Sequence, residues 1–296
     1  MWLPLQLASV VCWAIVSIID SVLVRHWVKH PLVLGWSQSC FSLLFLFGLA
    51  TVFEVKSSWI SLLIFVGMIS FLGDIVFWRA LNVLDVSITN IAWALLSVFL
   101  TIGGFFLFQE SWSLGEWMGV LLILGGVSFL SVSHQIGNTS WSLLLLPLLA
   151  FLNVPFYLTQ KAALLSGEQL FPVFFWPIVG REMMFFSVPW FFRRYRQAVL
   201  SFVSHVDRLY HLLNAVVVTL FFAGMYLTTL AFMVGPVSLV STVSNVQPFV
   251  ILFIAWLAYH LVPSFAPREL LTAQSVQVKL LCFSVVFLGL ALLAVG

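Results

Sequence analysis

The sequence predicts an all-α polytopic membrane protein in which ten transmembrane helices form two inverted five-helix repeats. The chain has 296 residues, of which 62% are hydrophobic and only 7% are charged, whereas soluble domains carry about 25% charged residues. Apolar runs of about 18 residues or more recur along the whole chain, and each can cross about 30 Å of bilayer hydrocarbon. The net charge of +2 is too small to indicate a nucleic-acid partner.

Ten apolar segments fit as membrane spans, and most connections between them are short. The first segment lacks a basic leader and a small-residue cleavage site, so we interpret it as a retained span and not as a signal peptide. The longer connection 193–211 mixes basic and apolar residues, which predicts that it lies flat in the membrane interface. The expected spans are 2–24, 31–53, 59–82, 86–108, 115–133, 141–162, 170–192, 210–233, 237–261 and 278–295.

A weak internal repeat relates the two halves of the chain. The segment DVSITNIAWALLSVFLTIGGFFLF (85–108) resembles PVSLVSTVSNVQPFVILFIAWLAYH (236–260) when Ser87 is aligned with Ser238. The fourth span then matches the ninth and the fifth matches the tenth, with an insertion in the connection 262–277. Because five is an odd number, the second copy must be inverted relative to the first. The two predicted units are 1–138 and 139–296.

Residues around the ninth span resemble a signature of the drug/metabolite transporter superfamily, EamA type. Gly235 and Pro236 are followed by Ser238 and, twelve residues after the first proline, by Pro248. In the first half, Glu110 stands where that family has an acidic residue after the fourth span, and a Gly-Gly pair marks the fifth span. The resemblance covers essentially the whole chain and implies a ten-helix transporter of a small-molecule substrate. The family's substrates are diverse, and a fold does not identify a substrate.

The resemblance implies a secondary transporter that works by alternating access in the lipid bilayer, and we expect it in the bacterial cytoplasmic (inner) membrane. No phosphate-binding motif for ATP occurs, so protons or a counter-transported solute would supply the energy. The sequence departs from the family pattern at Ser97, where a proline is common, and at His260 and Leu261, where a second Gly-Glu is expected. These departures affect the details of mechanism rather than the family assignment.

A polar stripe runs along the ninth span. Ser238, Ser241, Thr242 and Asn245 fall within an arc of about 100° on a helix, and Gln247 falls on another face. Such residues either let helices pack closely or line a wet cavity. The amides favour the cavity, because an amide costs more to desolvate than a hydroxyl. We therefore expect the stripe to bind substrate, and Gln247 to contribute less.

Charged residues inside spans mark a second candidate region, because each is unfavourable unless it is paired or hydrated. Asp74 lies in the third span, and Arg181 and Glu182 lie near the centre of the seventh. They form either a structural ion pair or a site for substrate or protons. Asp20 and Lys161 are near predicted span ends and are expected at the interface. The remaining candidate substrate-binding residues are Trp78, Asn90 and Trp93, of which the tryptophans either pack the core or form a wall for a cationic or aromatic group.

The substrate class follows from these side chains only in outline. An acid at Asp74 and a base at Arg181 suit a zwitterion, such as an amino acid or an amino-acid-bearing metabolite, and export of cationic or aromatic compounds is the alternative. An intramembrane enzyme is a remote alternative, since FLGD (71–74) lacks the first glycine of the aspartyl protease motif and other catalytic motifs are absent. A channel is equally remote. Three widely spaced cysteines form no metal motif, and we expect no cofactor.

The basic residues give an orientation that conflicts with the family resemblance. Connections after odd-numbered spans are basic, whereas the opposite face has only Lys56 and Lys161. Because basic loops remain in the cytoplasm, this bias predicts that both termini face outward. The resemblance implies cytoplasmic termini, and we favour the charge bias because it belongs to this chain. The basic residues concerned are Arg25, Lys29, Arg193, Arg194, Arg196, Arg208, Arg268 and Lys279.

Overall fold

The computed structural model describes residues 1–28, 30–84, 86–89, 92–110, 112–133, 145–261 and 273–295. These residues form helices, and no strand occurs among them, which confirms the predicted all-α class. Within this described part, seven helices are long and apolar enough to cross a membrane. Three shorter apolar helices are Leu95–Phe108, Leu114–Gly126 and Leu280–Gly289.

The helices are labelled in chain order. The first half contains α1 (Trp2–His26), α2 (Pro31–Val52), α3 (Ile60–Val83), α4 (Val86–Thr89), α5 (Ala92–Phe108) and α6 (Leu114–Ser133). The second half contains α7 (Leu145–Leu165), α8 (Leu170–Phe191), α9 (Arg193–Val203), α10 (Arg208–Val234), α11 (Val237–Val243), α12 (Gln247–Leu261) and α13 (Ala273–Val295). The predicted boundary at 138 and most of the insertion at 262–277 lie outside the described residues.

The helix ends follow local sequence signals. Pro31 occupies the first turn of α2, where its missing N–H is not needed. Asp207 caps α10 by accepting a hydrogen bond from the Tyr210 backbone N–H at 2.9 Å, a usual role for an N-cap carboxylate. The connection predicted to be interfacial contains α9, whose Val199 is buried while its arginines are exposed. This helix is therefore amphipathic, as expected for a segment that lies along a membrane surface.

The predicted ninth span is interrupted. A 3-10 turn at Ser244–Val246 separates α11 from α12. Pro248 then takes the second position of α12, where a residue without an N–H is tolerated. The chain therefore changes helix type one residue before the proline.

The helices of the two halves pack on one another in a reciprocal pattern. Extensive contacts join α1 to α10, and equally extensive contacts join α3 to α7. Further contacts link α2 to α8, α6 to α13, and α5 to both α7 and α11. The first long helix of each half thus packs on the third long helix of the other half.

The connections collect at two ends of the helix bundle. At one end, called the basic end, the rings of His30 and Tyr195 lie 5.4 Å apart. Burial, together with the positive charges of Arg194 and Arg79, lowers the pKa of His30. The other end, called the N-terminal end, brings Trp2 against Gly235. The basic residues of the connections after α1 and α8 therefore share one end, as the charge pattern predicts.

Small residues let α3 and α8 approach closely. A Cβ atom added to Gly67 would overlap the backbone carbonyl of Pro177, and one added to Gly180 would overlap the carbonyl of Ile64. Backbone atoms cannot move aside as a flexible side chain can. The close approach of these two helices, which carry Asp74 and Arg181, therefore requires glycine at both positions.

Substitution of Gly67 by alanine tests this helix contact. We expect Gly67→Ala to lower the free energy of unfolding by about 1–3 kcal/mol, because overpacking forces the helices apart. Gly48→Ala is the matched control, since Gly48 lies in a helix with no atom within 4 Å of the added Cβ. The measurement is the apparent unfolding midpoint in detergent, and equal midpoints for the two variants would show that the contact at Gly67 is not tight.

Candidate functional site

A cavity lies between the two halves of the chain and is called the central cavity. Its volume is about 60 Å³, which is room for roughly four to six water molecules. Helices of both halves contribute to its wall, which combines aromatic rings with buried polar and charged groups. The lining residues are Trp13, Val16, Ser17, Asp20, Gln38, Ser70, Asp74, Phe77, Trp78, Trp93, Asn153, Phe156, Tyr157, Arg181, Val217, Phe221, Met225 and Gln247.

Arg181 bridges two carboxylates at one side of this cavity. Its Nε forms an ion pair with Asp74, and its Nη1 lies 2.7 Å from Glu182 Oε1. The guanidinium carbon also lies 4.2 Å from the centre of the Phe221 ring, within the range of a cation–π contact. The side chains of Arg181 and Glu182 are 8% and 2% exposed, so the charges compensate one another inside the protein. The structural ion pair considered from the sequence is therefore present.

Asp20 lies in the wall of the cavity, which corrects the expectation that it is interfacial. Its Oδ1 accepts a hydrogen bond from Gln38 Nε2 at 2.7 Å, and its Oδ2 accepts one from Trp78 Nε1 at 2.9 Å. The residue is only 3% exposed. The reason for the error is that distance from a helix end does not determine burial: α1 packs against the helices that carry Gln38 and Trp78, and these side chains enclose Asp20.

The polar stripe divides between two environments. Ser241 lines a second, smaller cavity of about 40 Å³ beside the central one. Asn245 instead packs towards α5, where its Oδ1 lies 3.4 Å from Ser97 Oγ. Thr242 and Ser238 are also buried away from both cavities, and Thr242 Oγ1 donates to the Ser238 carbonyl at 2.8 Å. Only part of the predicted stripe therefore lines a cavity.

Gln247 lines both cavities, whereas helical periodicity sets it on another face from the stripe. The 3-10 turn explains the difference, because each of its residues turns the chain by about 120° where an α-helical residue turns it by about 100°. Over three residues this adds about 60° and brings Gln247 towards the side occupied by Ser241. Its Nε2 lies 3.2 Å from Ser17 Oγ of α1, so it joins the two halves.

The Gly235-Pro236 connection is held at the N-terminal end by two charged side chains. The Glu110 carboxylate accepts hydrogen bonds from the Val237 N–H at 2.7 Å and from the Ser238 hydroxyl, at the start of α11. Lys161 Nζ donates to the carbonyls of Phe232 and Gly235 at 2.8 Å each, at the end of α10. Each charge therefore has the sign that suits the helix end it contacts.

Lys161 is thus buried and hydrogen-bonded, and the expectation that it lies at the interface is wrong. It is 7% exposed, and the carbonyl groups that it binds belong to another helix. Gly104 provides the space for Glu110, since a Cβ atom there would lie 3.1 Å from the Glu110 carboxylate carbon. The hydrogen bonds of Lys161 to Phe232 and of Glu110 to Val237 cannot be inferred from sequence spacing, because each joins residues more than seventy positions apart.

The structure brings five of the ten predicted site residues to the two cavities. Asp74, Trp78 and Arg181 line the central cavity, Ser241 lines the smaller one, and Trp93 lines both. Asn90 lies outside the described residues. The remaining predicted residues, which are not in either wall, are Glu182, Ser238, Thr242 and Asn245.

Sequence reasoning missed several wall residues that carry polar groups. Gln38 lies in the middle of α2, and Asn153 and Tyr157 lie one turn apart on α7. Asn153 Nδ2 donates to the Leu149 carbonyl at 2.9 Å. An amide inside an apolar span was a usable signal for Gln38, because amides are unfavourable in hydrocarbon. Tyr157 gave no such signal, since tyrosine is common in membrane helices.

Comparison with known proteins identifies the family of the first half. Residues 1–132 match the profile of the EamA-like transporter family. The first half of the chain is therefore similar to that family. The EamA-like family is part of the drug/metabolite transporter superfamily, which confirms the resemblance seen in the sequence. With its membrane-spanning helices, the chain is an integral multi-pass membrane protein.

The fold of the chain also occurs in a solved structure. A crystal structure described only as a protein shares 14% sequence identity with a TM-score of 0.64, and the match covers 98% of this chain and 95% of that one. At this identity the match establishes the fold alone. The search of curated proteins found no match. The family supports transport of a small substrate across a membrane.

The bridge formed by Arg181 gives a stability prediction. Arg181→Gln leaves the buried Asp74 and Glu182 without a counter-charge, so we expect it to lower the free energy of unfolding by about 3–5 kcal/mol. The control is Arg79→Gln, because Arg79 is exposed and surface changes stay within about 0.5 kcal/mol. Adding Asp74→Asn to Arg181→Gln should recover part of the loss. Unfolding midpoints that are the same for Arg181→Gln and Arg79→Gln would rule out a structural bridge.

Proposed function

We propose that the protein is a secondary transporter that moves a small organic solute across the membrane by alternating access, with the solute held in the central cavity. The observation that carries this proposal is a cavity lined by buried polar and charged side chains from both halves of a chain whose first half is similar to a transporter family. Polar groups within a membrane protein most often line a substrate pathway. Transport, rather than an enzyme or a channel, is the function that this arrangement favours.

An inverted repeat of two five-helix units, 1–138 and 139–296, belongs to the same proposal. It is supported by the reciprocal packing, in which α1 contacts α10 as α3 contacts α7. Two copies related by a twofold axis in the membrane plane produce such pairs. The three shorter apolar helices, added to the seven long ones, would complete ten spans. Rocking of one unit against the other would expose the cavity to each side in turn.

The break between α11 and α12 supports a moving element beside the cavity. Interrupted helices next to a substrate site are common in transporters, because unpaired backbone groups are tolerated where they face a cavity. Glu110 and Lys161 hold the Gly235-Pro236 connection closed at the N-terminal end. We propose that release of these contacts accompanies opening of the cavity at that end.

The substrate-binding groups proposed here are those in the cavity walls: Asp74, Trp78, Trp93, Arg181 and Ser241, together with Asp20 and Gln247. The structure supports a zwitterionic substrate less than the sequence does, because the base Arg181 is already bound by Asp74 and Glu182. A cationic or aromatic compound remains the alternative.

Protons or a counter-transported solute would drive the transport cycle, and a bacterial inner membrane is the proposed location.

Transport through the cavities gives the next prediction. Purified protein in proteoliposomes, supplied with a panel of metabolites with and without a pH gradient, should take up at least one of them faster than protein-free liposomes do. Ser241→Leu and Gln247→Ala should each reduce that uptake about tenfold or more, because the first fills a cavity and the second removes a polar group from both walls.

Two matched variants serve as controls for this assay. Ser284→Leu adds the same side chain at an exposed position of α13 and should leave uptake unchanged. Asn245→Ala should alter thermal stability more than uptake, because Asn245 packs towards Ser97 and not into a cavity. The proposal fails if no panel member enters, or if Ser241→Leu and Ser284→Leu transport equally well while both remain monodisperse.

The orientation of the basic end can be tested by labelling. We propose that it faces the cytoplasm. In a background without Cys12, Cys40 and Cys282, Ser201→Cys should then resist a membrane-impermeant thiol reagent in intact cells. Lys56→Cys, whose side chain is 90% exposed between α2 and α3, should react rapidly. The reverse pattern would establish the orientation implied by the family resemblance.

A further inference from the structure

The Asp20 carboxylate forms no ion pair with the other charged side chains described in the central cavity. It is buried in the wall, and its two hydrogen-bond donors, Gln38 and Trp78, are both neutral. A carboxylate has about four lone-pair positions, so these two bonds leave capacity on both oxygens. Asp20 is therefore held in place by its neighbours without being neutralised by them.

No basic side chain of the described residues lies within ion-pair distance of Asp20. Arg181 is the one basic residue in the described wall of the cavity, and it is bound to Asp74 and Glu182. Lys161, the other buried cation, donates to backbone carbonyls at the N-terminal end. If all of them are ionised, three carboxylates face one guanidinium, so the group as a whole is negative.

Aromatic rings line the same cavity as this carboxylate. Trp13, Trp93 and Tyr157 are among them, whereas the Phe221 ring is already in contact with the Arg181 guanidinium. The faces of aromatic rings attract cations, and the apolar surface of the rings can pack against an apolar or aromatic group of a ligand. A buried charge without a partner is strongly unfavourable, so a ligand that supplies the positive charge gains affinity from this wall. A carboxylate on the ligand would meet a negative environment and a guanidinium that is already occupied.

We infer that the central cavity binds a small organic monocation, with its ammonium group at Asp20 and its apolar or aromatic part against the surrounding rings. This inference rests on the proposed function, because it names the substrate class of the same cavity. It selects the cationic class over the zwitterion. The aromatic rings of the wall favour an organic ammonium over a metal cation such as Na⁺, since a hard cation gains nothing from an apolar surface and requires several oxygen ligands.

Binding of four probes of matched shape tests the charge preference directly. The probes are 2-phenylethylamine, the neutral 2-phenylethanol, the anion phenylacetate and the zwitterion phenylalanine, each titrated calorimetrically into the purified full chain in detergent. We expect the amine to bind about tenfold to a hundredfold more tightly than the alcohol, the range for a hydrogen bond to a charged group. The anion and the zwitterion should bind more weakly than the amine.

Substitutions at Asp20 assign the preference to this residue. Asp20→Asn should reduce the preference for the amine over the alcohol to within about threefold, and Asp20→Glu should restore most of it because the charge returns. Asp207→Asn is the matched control, since Asp207 caps α10 at the basic end and asparagine is an equally good cap. Without ligand, Asp20→Asn should be at least as thermally stable as the unaltered protein, because it removes an uncompensated buried charge.

The inference is overturned if the alcohol binds as tightly as the amine, if the amine does not bind at millimolar concentration, or if Asp20→Asn retains the preference. Competition by NaCl but not by choline chloride at equal ionic strength would overturn it in favour of a sodium site. If Asp20→Asn does not fold, the four-probe series on the unaltered protein and Asp20→Glu still decides the question. If a panel metabolite is taken up but the protein does not prefer the amine, the inferred cation binding is wrong and the proposed transport stands. If the amine binds but nothing is taken up, the proposed transport is wrong and the cation binding stands.

Discussion

A charged side chain inside a bilayer must find its partner within the protein, and the bridge from Arg181 to Asp74 and Glu182 meets that constraint at the centre of this chain. The bridge joins α3 to α8, and these helices can approach only because Gly67 and Gly180 leave room for each other's backbone. The Phe221 ring of α10 covers the guanidinium. One ion cluster therefore sets the relative position of three helices from both halves and forms one side of the cavity.

The polar segment around Gly235 and Pro236 obeys the same constraint at a helix break. Where two helices end against neighbouring helices, their unpaired N–H and carbonyl groups need partners. Glu110 supplies the acceptor for the start of α11, and Lys161 supplies the donor for the end of α10. Because Glu110 comes from the first half, this break is also a contact between halves. Such a contact is strong enough to hold one arrangement and local enough to be released.

The balance of charge in the cavity connects this architecture with function. Two carboxylates bind the cation Arg181, whereas Asp20 accepts hydrogen bonds from a neutral amide and a neutral indole. The cation binding inferred above depends on this difference, because the ammonium group of a ligand would supply the positive charge that no side chain of the described residues supplies to Asp20.

The sequence by itself determined the class of the protein, its apolar segments and its family, because these depend on composition and on local motifs such as Gly235-Pro236. It also indicated that Asp74 and Arg181 could pair, since two charges in hydrocarbon have few other options. It could not assign Asp20, Lys161 or Gln247 correctly. Their environments depend on which side chains of α2 and α3 reach Asp20, on which helix end faces Lys161, and on a 3-10 turn that rotates Gln247 into the cavity. These environments arise from contacts between helices, and the spacing of residues along one helix does not predict such contacts.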